Sequence, residues 1–257
     1  MEDKTVVILA GDGESTNIIY NALKSSFKIE KVIIERRISK VLFLKNRIKK
    51  IGFFKVFGQA LFQLIAVPYL RLVSRKRIMR LKQESGMENS PIDSARVIRV
   101  ASANSDETKA ILQKINPAVV VINGTRIILD RILISIPAKF INLHAGITPL
   151  YRGVHGAYWA LIESNKKDCG VTVHFVDAGI DTGDILEQGT ISLSNEDNFV
   201  TYPYLQLAEG IELLKKAIND ILKNQIDVKP YPEGLSKLWS HPTLFEYIWY
   251  RIYYGIR

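Results

Sequence analysis

Cysteine is almost missing from these 257 residues: Cys169 stands alone. That excludes a disulfide framework within the chain and a zinc site built on several thiolates, and a reducing compartment such as the cytoplasm fits. Long hydrophobic runs are missing too. The longest charge-free run, Val56 to Leu70, has 15 residues and contains Gln59, Gln63 and Pro68. A membrane span needs roughly 18–20 apolar residues, so this run is expected to be a buried or interfacial helix. The opening MEDKTVVILAGDGES does not have the layout of a signal peptide and reads as a strand followed by a loop. Internal repeats and disordered linkers are lacking as well.

Acidic residues are scarce in one long stretch. Lys31 to Lys82 holds 15 Lys or Arg and one acid, Glu35, in a chain whose formal net charge is +9. The rest is therefore mildly acidic, and the basic segment points either to an anionic partner or to a solvated helical insertion. Otherwise the composition is that of a globular protein, 47% hydrophobic and 24% charged.

The patterning predicts an α/β fold. Apolar runs at 4–10, 31–35, 95–100, 117–123, 139–144, 169–177 and 184–193 read as strands. Helical spacing appears at 15–27, 106–115 and 155–164 and within 199–223. The order β-loop-α-β at the start argues for a parallel, twisted sheet flanked by helices. Residues 1–223 are expected to form the main domain, interrupted by a basic, largely helical insertion at 36–90. Residues 224–257 form an aromatic C-terminal extension.

Chemistry concentrates after the run at 139–144. Asn142 and His144 are two apart and project to the same face of a strand, at the end where open α/β sheets bind ligands. An imidazole there can exchange a proton near neutral pH, and an amide can donate to an oxygen that gains charge. The plainer reading is a His and an Asn that satisfy backbone groups at a strand end. A carboxylate beside the ring would favour chemistry. Asp177, Asp181 and Asp184 in the loop DAGIDTGD all qualify on composition.

The stretches FINLHAGITPLYRG and GVTVHFVDAGIDTGDIL together resemble the folate-dependent formyltransferases, which include glycinamide ribonucleotide, methionyl-tRNA and sugar-nucleotide enzymes. Asn-x-His, a Pro-x-Tyr-Arg-Gly turn, a Thr-Val-His strand and an Asp-x-Gly-x-Ile loop occur in order. The resemblance covers roughly 115–190 well and the first 25 residues weakly. It implies a Rossmann-like formyltransferase fold, with Asn142, His144 and Asp181 as catalytic residues. The implied donor is 10-formyltetrahydrofolate, with no metal. The donor's pterin would be held by Arg126, Ile127 and Ile128 on one side and by Asp177, Ala178, Gly179, Ile180 and Asp181 on the other. Protonated His144 and Asn142 would stabilise the oxyanion. His174 matches a strand histidine that is more structural than catalytic.

The acceptor is expected to be a small-molecule primary amine, foremost a nucleotide-linked amino sugar. Gly11, Gly13, Ser15, Thr16, Tyr151, Arg152 and His155 are its candidate contacts. In the loop GDGESTN a phosphate grip competes with simple helix capping by Ser15 or Thr16. Asp12 and Glu14 would repel a phosphate, which weakens the alternative of a glycinamide ribonucleotide enzyme. After residue 223 only 34 residues follow. They do not read as the RNA-binding barrel of the methionyl-tRNA enzymes, so no specific nucleic-acid partner is expected. Residues 40–85 suggest either peripheral membrane contact or a packed or dimer-forming helical unit. A non-catalytic folate-binding or membrane-surface binding protein is the alternative from a different class.

Overall fold

The computed structural model describes residues 4–37, 39–232 and 234–257. Positions 1–3, 38 and 233, which fall in the expected domain, insertion and extension, lie outside the described residues. The strands are β1 (Val6–Gly11), β2 (Ile29–Glu35), β3 (Val97–Val100), β4 (Val119–Asn123), β5 (Lys139–His144), β6 (Tyr151–Gly153), β7 (Gly170–Phe175), β8 (Ile185–Thr190) and β9 (Lys237–Trp239). The helices are α1 (Glu14–Leu23), α2 (Lys40–Ile51), α3 (Phe53–Leu61), α4 (Val67–Val73), α5 (Arg75–Glu84), α6 (Asp106–Ile115), α7 (Asp130–Leu133), α8 (Gly156–Ile162), α9 (Tyr202–Leu222) and α10 (Leu244–Tyr253).

Seven strands form one sheet in the order β3-β2-β1-β4-β5-β7-β8, and β6 pairs with β9 in a separate ribbon. β1 to β5 are parallel, and β7 runs antiparallel to both its neighbours. The fold is therefore α/β with a mostly parallel sheet. β1 is apolar on both faces because both are covered. Val6, Ile8 and Ala10 pack with α1 and α9, whereas Val7 and Leu9 pack with α6 and α7. The chain runs from β1 out to β3 and returns to β4 on the other side of β1. This reversal opens a crevice at the carboxyl ends of β1 and β4, where such sheets bind ligands.

Local chemistry sets the element ends. α6 starts where Ser105 Oγ accepts the Thr108 N–H at 3.2 Å and stops at Asn116, which adopts the left-handed conformation with φ 45°. α1 departs from the capping expectation. It begins at Glu14 after Gly13, and neither Ser15 nor Thr16 caps it. The Thr16 hydroxyl instead donates to the Gly11 carbonyl at 2.7 Å. β7 ends at Phe175, two residues before the expected end, because Asp177 turns the chain by accepting the Gly179 N–H at 3.0 Å.

The insertion is helical. α3, a π-helical turn at Phe62–Ala66 and α4 join into one 21-residue helix, Phe53–Val73, which is long and apolar enough to cross a membrane. It exceeds the charge-free run because Lys55 and Arg71 fall within it. Phe62, Ala66, Val67 and Leu70 pack with Tyr158, Phe199 and Tyr247 in a second core, separate from the clusters on the two faces of β1. The extension completes that core. α10 opens with a reciprocal cap between Thr243 and Glu246 and inserts Tyr247.

A buried ion pair clamps the insertion to the domain. Arg77 donates to both carboxylate oxygens of Asp197, at 2.9 and 3.1 Å, and the Asn198 amide donates to Ser74 Oγ at 2.7 Å. The Asp197 side chain is fully buried, and the Arg77 guanidinium holds its carboxyl below the usual range against the opposing effect of burial. Arg77→Met leaves that carboxylate with only Ser194 for hydrogen bonds. We expect this substitution to cost about 3 kcal/mol in urea unfolding, and the double variant Arg77→Met with Asp197→Leu to recover part of the loss.

Candidate active site

The antiparallel register of β5 and β7 places Asn142 opposite His174 and His144 opposite Thr172. Cross-strand neighbours share a face, so two histidines and an amide meet at the end of β5. The Asp181 carboxylate lies among them, 3.4 Å from His144 Nδ1 and 3.7 Å from His174 Nε2. Asn142 Nδ2 is 3.2 Å from His174 Nε2 and 3.4 Å from Asp181 Oδ1. Of the three aspartates left open by composition, Asp181 is the one at His144. Asp177 holds its own turn through Gly179 and Thr182, and Asp184 accepts from the Tyr231 hydroxyl at 3.2 Å.

The Tyr-Arg-Gly turn, β6, braces this cluster with three consecutive residues. The Tyr151 carbonyl accepts from His144 Nε2 at 2.8 Å, Arg152 donates to the Ile180 carbonyl at 3.1 Å, and the Gly153 N–H donates to Asp181 Oδ2 at 2.9 Å. Asp181 itself has φ 52°, a strained conformation of the kind that collects at functional sites. Two glycines make the close approach possible. A Cβ on Gly146 would stand 2.7 Å from His144 Nε2, and one on Gly153 would stand 2.3 Å from the Trp239 carbonyl. Tyr151 and Arg152 thus brace the site through their backbone and through the Asp181 loop. The Tyr151 side chain is buried in the second core.

Burial lowers the pKa of His144 even though Asp181 stands beside it. Burial also opposes ionisation of Asp181, but His174, His144 and the Gly153 N–H together hold its carboxyl below the usual carboxylate range. Asp181 is therefore ionised at neutral pH and His144 is biased toward its neutral form. Because Nε2 donates to the Tyr151 carbonyl, the neutral ring points the Nδ1 lone pair at the carboxylate. A proton delivered to this pair has a waiting position between Nδ1 and Oδ2.

Two cavities flank the end of β5, and Leu143 and Ala145 line both. The first, about 440 Å³, has Asn142, His144, His174 and Asp181 in its wall. The expected donor contacts Arg126, Ile127, Ile128, Asp177, Gly179 and Ile180 line it, and Ala178 does not border it. The Arg126 guanidinium is engaged elsewhere, 3.4 Å from Glu35, whose carboxylate also accepts the Arg126 N–H at 2.7 Å. Among the described residues, the Ile128 backbone N–H and carbonyl have no hydrogen-bond partner. They suit the polar edge of a flat heterocycle.

The second cavity, about 480 Å³, is lined by Ser15, Glu14, Arg71, His155, Tyr204 and His241 among others. Gly11, Gly13 and Thr16 lie outside its wall. The acids that argued against a phosphate are neutralised within the chain: Asp12 pairs with Arg99 at 2.9 Å, and Glu14 pairs with Lys82 and accepts from the Tyr204 hydroxyl. His155 is not on α8 but precedes it with φ 61°, and its Nε2 meets His241 Nδ1 at 2.8 Å. His241 and Gln63 also line this cavity, and His174, the expected structural strand histidine, contacts Asn142 and Asp181. No local pattern marks the first two. The pairing of His174 with Asn142 follows only from the register of β7.

Residues 55–217 match the profile of the formyl transferase family, to which the chain belongs. A methionyl-tRNA formyltransferase from Thermodesulfovibrio yellowstonii is 38% identical over 120 residues, which cover 46% of this chain and 39% of that protein. One from Finegoldia magna is 34% identical over 128 residues, covering 49% and 41%. The match thus spans about two-fifths of the length of these curated relatives. Among solved structures, a sugar N-formyltransferase from Shewanella sp. superposes with a TM-score of 0.57 at 16% identity, covering 91% of this chain and 76% of that one. A phosphoribosylglycinamide formyltransferase from Bacillus halodurans superposes with a TM-score of 0.54 at 22% identity, covering 85% and 95%. At these identities the likeness establishes the shared fold.

Proposed function

We propose that the chain transfers a formyl group from 10-formyltetrahydrofolate to a primary amine, foremost the amino group of a nucleotide-linked amino sugar, in the cytoplasm. The observation that carries the reading is that Asn142, His144 and Asp181 together line the first of two cavities, which share Leu143 and Ala145 at the end of β5. The first cavity is the donor side. Its volume and the unpartnered Ile128 backbone fit a pterin. The donor supplies an activated formyl carbon.

The residues of the chain then position the amine, stabilise charge and move one proton. Attack forms the carbon–nitrogen bond to the acceptor and breaks the one to the folate nitrogen. The amine proton is received by Asp181, shared with His144 Nδ1, and returned to the departing nitrogen. Asn142 engages its amide hydrogens only through long contacts, Nδ2 lying 3.2 Å from His174 Nε2 and 3.4 Å from Asp181 Oδ1. Redirecting one of them to the developing oxyanion costs little and adds stabilisation where charge appears.

The second cavity is the acceptor side. Its wall combines the charged Glu14 and Arg71 with Phe199, Tyr204 and two histidines, a mixture suited to a sugar amine and an attached anionic or aromatic group. Calorimetric titration with 5-formyltetrahydrofolate should show saturable one-to-one binding. Turnover should then appear with an amino-sugar nucleotide, with glycinamide ribonucleotide and methionyl-tRNA as comparators. Absence of folate binding at millimolar ligand would refute the donor assignment. His144→Ala should retain folate binding and lose transfer, whereas a binding protein without catalysis would show no transfer in either form.

A further inference from the structure

The helix Phe53–Val73 has two unlike faces. Val56, Gln59, Phe62, Ala66 and Leu70 are buried at helical spacing, and the Gln59 amide donates to the His241 carbonyl. On the opposite face Phe54, Leu64 and Leu72 are 87%, 74% and 72% exposed. α10, which packs against α3 and the π-turn, also exposes Phe245, Trp249, Ile252 and Tyr253. Large exposed apolar surface of this kind marks an interaction site.

The surroundings identify the occupant. From Arg36 to Lys82 the chain carries fourteen Lys or Arg and no acid. Arg77, Arg80 and Lys82 are paired with Asp197, Glu196 and Glu14. Among the described residues, Lys45, Lys49, Lys50, Lys55, Arg75 and Lys76 form no ion pair. A second copy of the chain is a poor occupant, because a two-fold contact would set this basic segment against itself. A spanning orientation is also unsuitable. It would strip the helix from the core that Phe62 and Leu70 share with Tyr158 and Tyr247. An apolar face framed by cations, with Trp and Tyr at its margin, matches the interface of an anionic bilayer.

We propose that the outer face of Phe53–Val73, together with α10, docks the protein on anionic lipid, with the helix lying in the plane of the membrane surface. This inference is independent of the formyl-transfer reading. If both hold, one helix borders both the lipid and the acceptor cavity, since Gln63, Val67 and Arg71 line that cavity. The acceptor amine would then be met at the membrane surface. The π-turn lies where the helix serves both faces, since it contains the cavity-lining Gln63 and the outward Leu64.

Flotation with vesicles of phosphatidylcholine alone, or with 30% phosphatidylglycerol, tests the proposal on the full chain. The protein should float with the anionic vesicles, and 0.5 M salt should weaken this. A variant carrying Phe54→Ser, Leu64→Ser and Leu72→Ser should lose at least tenfold in vesicle binding. These side chains are outside the core, so its melting temperature should be unchanged. The proposal is overturned if the protein remains unfloated, if it binds both vesicle types alike, or if the triple variant floats as well as the parent. It is equally overturned if the parent is a lipid-free dimer that the three substitutions dissociate. Folate titration of the same samples reads the donor site separately, so failure of one reading does not pass for failure of the other.

Discussion

Asp181→Asn is expected to lower formyl transfer by about 10²–10⁴-fold while folate binding changes little. The carboxylate is the negative group that faces His144 Nδ1 and is held by the Gly153 N–H. Asparagine keeps the shape and tolerates the left-handed backbone at this position, where φ is 52°. It cannot accept the amine proton as a carboxylate does, and it no longer favours a proton on His144. The loss should therefore appear in kcat and not in donor affinity. The pH profile should also lose its acidic limb, because that limb reports protonation of the Asp181–His144 pair. A variant that transferred at the parental rate would place the proton route elsewhere. A variant that merely lost donor binding would make Asp181 a part of the cradle only.

The second large effect is acid lability arising at the other cavity. Burial, reinforced by His241, pushes His155 down to about 3, and burial, reinforced by Arg47, pushes His241 down to about 4. His241 Nδ1 faces two donors, the Gln63 amide at 3.2 Å and His155 Nε2 at 2.8 Å. A proton on that nitrogen would set N–H against N–H. These are bases whose folded pKa lies below the unfolded value near 6.5, so the unfolded chain binds more protons between about pH 6.5 and 4. Stability is then complete above 6.5 and falls with pH across that window. One extra proton over two pH units costs about 3 kcal/mol, and the second ring adds to this. Melting curves should drop steeply from pH 6.5 to 4.5. The double variant His155→Gln with His241→Gln should flatten that drop but not remove it, because buried His144 contributes with the same sign. An equally steep drop in the double variant would refute the role of the pair.

The His155–His241 contact also marks where local reading stops. The two rings are 86 positions apart in the chain. Nothing in WSHPTLF signals that it will close over a histidine beside α8. By contrast, the approximate positions of β1, β4, β5 and α6 were visible because doubly covered strands are apolar on both faces and the apolar residues of α6 recur at helical spacing. The site was half visible in the same way. Asn142 and His144 share a face by strand periodicity alone, and a glycine-rich loop with three aspartates stood out by composition. Choosing Asp181 among the three required either a resemblance or the structure.

Residue type and spacing by themselves determined the α/β class, the strand that carries the amide and imidazole, and the helical, basic character of the insertion. These are properties of consecutive residues, set by periodicity, burial preference and charge. Only the tertiary structure decided that β7 turns antiparallel and brings His174 to Asn142. Only it decided that Tyr151, Arg152 and Gly153 brace the cluster through their backbone and the Asp181 loop, and that Asp12 and Glu14 are neutralised by distant bases. It also decided that Phe53–Val73 buries one face and exposes the other. Each of these depends on packing between segments far apart in the chain, where the partner of a buried group is chosen by geometry and carries no local mark.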